Sequence, residues 1–129
     1  MALTPGEIEV MQVLWEHGEL KPSEIEERFP RPIKNAALRF QLKTLLEKGH
    51  VKRRKVGKAY RYQAMTEREG AFKKMARRFA EGFCQGSAAG LIAELIKTEE
   101  LTPEEIKELR DLAASKAAGE PPKGKRRKS

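Results

Sequence analysis

With 129 residues, a net charge of +8 and 36% charged side chains, the chain has room for one ordinary domain, or a small domain with an accessory segment, and too little for most two-domain enzymes. A single cysteine, Cys84, excludes an internal disulfide, and with two histidines it disfavours a structural zinc site within one chain. No apolar run approaches the roughly 20 residues of a membrane span, and the start, MALTPGEIEV, lacks the basic head and apolar core of a secretory signal, so a cytoplasmic chain without membrane insertion is expected.

Thr4-Pro5-Gly6-Glu7 reads as a helix start: Thr4 caps, Pro5 fits the first turn, and Glu7 sits three residues on to reach back to the cap amide. The helix runs to about His17 and is ended by Gly18. Ile8, Met11, Leu14 and Trp15 form its main apolar side, widened by Val10 and Val13, as for a helix covered on more than one side. Glu19 to Lys21 offers a short third strand. Pro22-Ser23 opens a short second helix through Ile25 and Phe29, and Pro30 and Pro32 break the chain after it.

The segment from Ile33 to Tyr62 organises the rest. Leu38, Leu42, Leu45 and Leu46 recur at helical spacing between Asn35 and Lys48, so one stripe is buried while the opposite face stays free. At about 100° per residue that free face carries Ala36, Ala37, Phe40, Lys43 and Thr44, with Arg39 and Glu47 at its edges. Gly49 ends the helix. Val51 to Lys55, a Val56-Gly57-Lys58 turn, and Ala59 to Ala64 then read as a hairpin with Tyr60 and Tyr62 on one face. Alternation is taken to send Arg53, Lys55 and Arg61 to the side away from Val51 and the tyrosines.

Three helices, the second and third joined by a Pro-bounded turn, followed by a hairpin, are the order of a winged helix-turn-helix. Thr66 to Ala118 reads as helices alone. Phe72, Met75, Ala76, Phe79, Ala80 and Phe83 make one apolar stripe; Leu91, Ile92, Leu95 and Ile96 make another; Ile106, Leu109, Leu112 and Ala113 make a third behind a Thr102-Pro103-Glu104-Glu105 cap. About fifty residues have too little volume to bury these stripes alone, so a two-fold dimer through them is expected, the alternative being packing onto the winged domain. Gly82, Gly86 and Gly90 either permit close helix approach or mark breaks. The expected fold class is mainly α with a small β-hairpin wing. Residues 1–65 form the winged-helix domain, 66–118 a helical dimerisation region and 119–129 a basic disordered tail, which either attracts phosphate or solubilises the end.

Charge is distributed unevenly. Residues 1–30 hold 2 basic and 7 acidic side chains, residues 31–65 hold 11 and 1, residues 66–118 hold 9 and 10, and residues 119–129 hold 5 and 1. Positive charge therefore gathers on the helix and hairpin, the footprint of a polyanion bound on one face. The expected base-reading set is Ala36, Ala37, Arg39, Phe40 and Lys43, in which Arg39 donates in parallel to guanine and the small methyls meet thymine. Phe40 either lies against a thymine methyl or folds against the wing. The expected phosphate set is Lys34, Asn35, Arg53, Arg54, Lys55, Lys58 and Arg61, contacts that position without specifying. The plainer alternative is a solvated basic helix beside a solvated hairpin.

LTPGEIEVMQVLWEHGELKPSEI, LLEKGHV, the Tyr60-Arg61-Tyr62 wing and FCQGSAAGLIAELIKTEELTPEEIKELRDL resemble the penicillinase repressor family of the BlaI/MecI type over about residues 3 to 114. The resemblance implies a homodimeric repressor on operator DNA, control of β-lactam or cell-wall stress genes, and relief by a membrane-bound sensor protease that cuts the C-terminal region. Copper-responsive repressors that resemble this family carry paired cysteines near the C-terminus, and this chain has none there. No cofactor is expected, and neither histidine has a nearby nucleophile or carboxylate pair, so an enzyme is not expected either. The rival readings are an RNA-binding winged helix and an adaptor for an acidic protein partner.

Overall fold

The computed structural model describes residues 2–119, so the expected basic tail lies, apart from Gly119, outside the described residues. Helix α1 (Pro5–His17) starts on a reciprocal cap, in which the Glu7 amide donates to the Thr4 hydroxyl at 3.2 Å and the Thr4 amide donates to the Glu7 carboxylate at 2.9 Å. Helix α2 (Pro22–Arg28) has one half of that arrangement at its start, where the Lys21 amide donates to the Glu24 carboxylate at 2.9 Å while the lysine side chain offers no acceptor. Helix α3 (Asn35–Lys48) ends as Gly49 turns left-handed at φ 82°, which lets the next amide, of His50, reach back to the Leu45 carbonyl at 3.0 Å.

Strands β1 (Val51–Val56) and β2 (Ala59–Ala64) pair antiparallel with Val56 opposite Ala59, so Gly57 and Lys58 alone form the turn. Gly57 has φ 65° and Lys58 does not enter the positive region, which is the pattern of a type II′ hairpin turn. The third strand expected at Glu19 to Lys21 is one residue long: only Leu20 bridges, exchanging hydrogen bonds of 3.0 and 2.8 Å with Tyr62. Gly18 before it and Pro22 after it leave no length for more.

The chain divides into two units, the first ending at Met75 and the second beginning at Ala76. The first has a continuous core: Val10, Met11 and Leu14 of α1, Ile25 of α2, Leu38, Leu42 and Leu45 of α3, Val51 of β1 and Tyr62 of β2 are all buried. Trp15 joins it by its apolar body while its indole N–H donates to the Thr66 carbonyl at 2.8 Å, fixing the chain just after the hairpin.

Three further helices follow: α4 (Arg68–Phe83), across which the division falls, α5 (Ala88–Thr98) and α6 (Pro103–Ala117). Gly86, at φ 84°, lies in the break between α4 and α5, whereas Gly82 and Gly90 are inside helices. The Ser87 hydroxyl caps α5, and Thr102 with Glu105 repeats the reciprocal cap at α6. Among the described residues of the second unit only Ala80 is buried. Phe79, Phe83, Ile92, Leu95, Ile96, Ile106, Leu109 and Leu112 are exposed, as are Phe72 and Met75 of the first unit, and Leu91 is half-buried. No helix among the described residues is long and apolar enough to cross a membrane.

Candidate nucleic-acid interface

Helix α3 is anchored from behind by more than its leucines. Glu7 is 2% exposed, and its carboxylate accepts from the Thr4 amide, from the Thr44 hydroxyl at 2.8 Å and from the Lys48 ammonium at 2.8 Å. Burial pushes this carboxyl up, but the hydrogen bonds from Lys48, the Thr4 amide and Thr44, with the Lys48 charge, outweigh it and hold its pKa below the ordinary glutamate value. Gln41 lies against Gly6 on the same edge, where a Cβ on Gly6 would come within 2.5 Å of its amide nitrogen. Thr44 therefore faces α1, not the free face where helical projection put it. The reason is chemical: its hydroxyl finds a buried carboxylate.

What α3 leaves outward is narrower than expected and less polar. Ala36, Ala37, Arg39, Phe40, Lys43 and Glu47 are exposed, preceded by exposed Lys34 and Asn35. Arg39 is steadied along the helix, its Nε donating to the Asn35 side chain at 2.9 Å. Its two terminal nitrogens stay available, which is the geometry for a paired contact to one acceptor edge. The approach to α3 is fixed as well, because Arg31 in the preceding loop grips Glu9 of α1 through two bonds of 2.6 and 2.9 Å.

The hairpin has two chemically different faces, and the register corrects the expected sorting. Arg53 stands opposite Tyr62 and Lys55 opposite Tyr60, so both cations share the tyrosine face with Val51. The Arg53 guanidinium lies 4.0 Å from the centre of the Tyr60 ring and donates to the Tyr62 hydroxyl at 3.2 Å; that hydrogen bond raises its pKa above the ordinary value. Lys55 approaches the same ring at 5.8 Å. Positions 51, 53 and 55 of one strand must share a face, so alternation alone gives this result.

Arg61 is on the other face, opposite Arg54, where two like charges would repel. Each is answered by an acid from the segment after α1. Arg54 pairs with Glu19 through bonds of 2.7 and 3.0 Å, and Arg61 lies 3.7 Å from Glu24. Glu19 is held below the ordinary carboxylate range by the Arg54 hydrogen bonds, and Glu24 by the Lys21 amide and the Arg61 charge. Lys52, Lys55 and Lys58 are exposed and form no ion pair among the described residues. Sequence reasoning placed Glu7 at the cap of α1 but missed its bonds to Thr44 and Lys48, and it missed Glu19, Glu24 and the stacking role of Tyr60. Only Tyr60 carried a local signal, being two residues from buried Tyr62 and across from Lys55.

The described residues thus bring together an outward helix face dominated by small, apolar and cationic side chains and a hairpin with a cationic edge. Such a surface complements a groove lined by phosphates. Residues 3–115 match the family model described as penicillinase repressor. The methicillin resistance regulatory protein MecI of Mammaliicoccus sciuri is 25% identical over 116 residues, which cover 88% of this chain and 94% of that protein. The penicillinase repressor of Bacillus licheniformis is 24% identical over 114 residues, covering 83% and 85%. The X-ray structure of the YusO protein from Bacillus subtilis has a TM-score of 0.51 and 24% identity, covering 90% of this chain and 75% of that one, a likeness of fold alone.

Proposed function

Because the chain belongs to the penicillinase repressor family, we propose that it is a homodimeric, cytoplasmic transcriptional repressor that occupies a pseudo-palindromic operator with one α3 helix and one hairpin from each copy. The observation that carries the reading is the outward face of α3, where Ala36, Ala37, Arg39, Phe40 and Lys43 are exposed beside the hairpin's cations while α3 is clamped from behind. In a dimer the two helices would enter successive major grooves about 34 to 36 Å apart. Arg39 reads a base edge; Lys34, Asn35, Arg53, Lys55 and Lys58 position the helix on phosphates. Arg54 and Arg61 are secondary phosphate contacts, since each already has a carboxylate partner.

Dimerisation is supported by the second unit, whose apolar side chains lack a core of their own among the described residues. Phe72, Met75, Phe79 and Phe83 of α4, Leu91, Ile92, Leu95 and Ile96 of α5, and Ile106, Leu109 and Leu112 of α6 form the interface in this reading, buried against the second copy. The residue ranges expected from the sequence, with the dimerisation region at 66–118, belong to the same proposal. The names of the two relatives support β-lactam response genes as the regulated set. Relief by a membrane-bound sensor protease rests on the family resemblance. The role is binding, without catalysis or a cofactor.

Arg39→Ala and Lys55→Ala separate reading from positioning. On the selected operator Arg39→Ala costs about 1 to 3 kcal/mol and relaxes choice at one position of each half-site, whereas Lys55→Ala weakens all duplexes alike and lowers the salt slope by about one. Equal losses on operator and random duplex for Arg39→Ala would remove Arg39 from the reading role.

A further inference from the structure

Phe40 is 62% exposed on the outward face of α3, an unusual cost for a phenyl ring in a helix that had apolar cover nearby. The alternative left by the sequence, packing against the hairpin, would cover the ring, and most of the ring is uncovered. Among the described residues no other aromatic ring lies beside it and no cation sits over it. One turn earlier are Ala36 and Ala37, both exposed, and helical side chains lean toward the N-terminus, so the ring stands over a shallow floor of two methyl groups. Around this apolar spot are Lys34, Arg39 and Lys43, all exposed and none paired with a carboxylate among the described residues.

An apolar protein partner would satisfy the ring and bury three cations without counter-charge. A polyanion alone would satisfy the cations and leave the ring in water. Duplex DNA answers both, because the thymine C5-methyl is the one apolar group that a base edge presents in the major groove, between two rows of phosphates. Structured RNA offers neither the methyl nor a groove wide enough for the helix.

We propose that Phe40 reads a thymine C5-methyl in each half-site, making site choice depend on a pyrimidine methyl next to the base that Arg39 contacts. This inference rests on α3 being the groove-entering helix, and the test separates the two. The full chain first selects from random duplexes. The enriched duplex is then resynthesised with deoxyuridine replacing each thymidine in turn, and affinities are measured by fluorescence anisotropy for the natural chain, Phe40→Ala and Phe40→Leu.

Because the ring is exposed, all three proteins should melt alike. The expected result is one symmetry-related pair of thymidines at which removing each methyl weakens binding about four-fold, the value of one buried methylene. Phe40→Ala should bind the thymidine and deoxyuridine duplexes equally, and Phe40→Leu should retain part of the difference. If a consensus is enriched but no thymidine is sensitive, or if the sensitivity survives in Phe40→Ala, the methyl-reading role is overturned and the α3 reading stands. Failure to enrich any consensus overturns the α3 reading and this inference with it.

Discussion

The buried Glu7 carboxylate ties the start of α1 to the back of α3, and replacing it distinguishes a charge requirement from a hydrogen-bonding one. In Glu7→Gln the amide oxygen can keep the site of Oε1, accepting from the Thr4 amide and Lys48. The amide nitrogen then faces the Thr44 hydroxyl, which can accept from it while donating to the Gln41 carbonyl, 3.0 Å away. Every group keeps a partner and only the charge assistance is lost, a cost of about 1 to 2 kcal/mol. Glu7→Ala removes all three bonds and leaves the Lys48 ammonium, whose side chain is 18% exposed, with only the Ala2 carbonyl at 3.0 Å. That should cost about 3 to 5 kcal/mol. Urea unfolding at fixed protein concentration, which keeps any dimer contribution constant, reads both values. The sign of the pH dependence is also set. A carboxyl with a lowered folded pKa contributes fully above the ordinary glutamate value, about 4.3, and its contribution is lost as pH falls through the folded value. The gap between the natural chain and Glu7→Gln should therefore close in acid. Equal costs for Gln and Ala, or a gap that persists at low pH, would refute the clamp.

Three further outcomes follow from the same geometry. Glu19→Gln should release Arg54 from its two bonds and steepen the salt dependence of duplex binding by about one, with little change in melting because the pair is exposed; an unchanged slope would mean that Arg54 never reaches phosphate. Phe79→Asp, at a ring lying 5.1 Å from Phe83, should shift sedimentation from dimer to monomer and cost operator affinity, and an intact dimer would contradict the proposed interface. Trp15→Phe should lower stability by about 1 kcal/mol through loss of the hydrogen bond to Thr66, while an unchanged midpoint in urea would show that bond to be idle.

Local signals were strong where one residue type has one physical use. Thr4 with Glu7, Pro32 before Asn35, Gly49 after Lys48 and Gly57 in the turn fix element ends through caps and backbone freedom, and the leucine spacing of α3 gave its buried side. Projection onto a wheel failed at Thr44, because it knows nothing of a carboxylate 37 residues earlier that is buried and wants donors. Arg61 was assigned to the right face of the hairpin, but Arg53 and Lys55 were assigned to the wrong one although the information was present. Val51, Arg53 and Lys55 share parity, and the two-residue turn sets Arg53 opposite Tyr62. The pairing of Arg54 with Glu19 and of Arg61 with Glu24 spans too much sequence for any local pattern to reveal it. The winged helix-turn-helix and the penicillinase repressor family, by contrast, were readable from element order and the quoted segments.

The most direct test of the central claim is a hydroxyl-radical footprint of the full chain on its selected duplex, with bound protein counted by sedimentation. Two chains per duplex and two symmetry-related protected patches, with centres about one helical turn apart, are expected. A single protected patch under one bound chain, or uniform protection along the duplex, would contradict the claim.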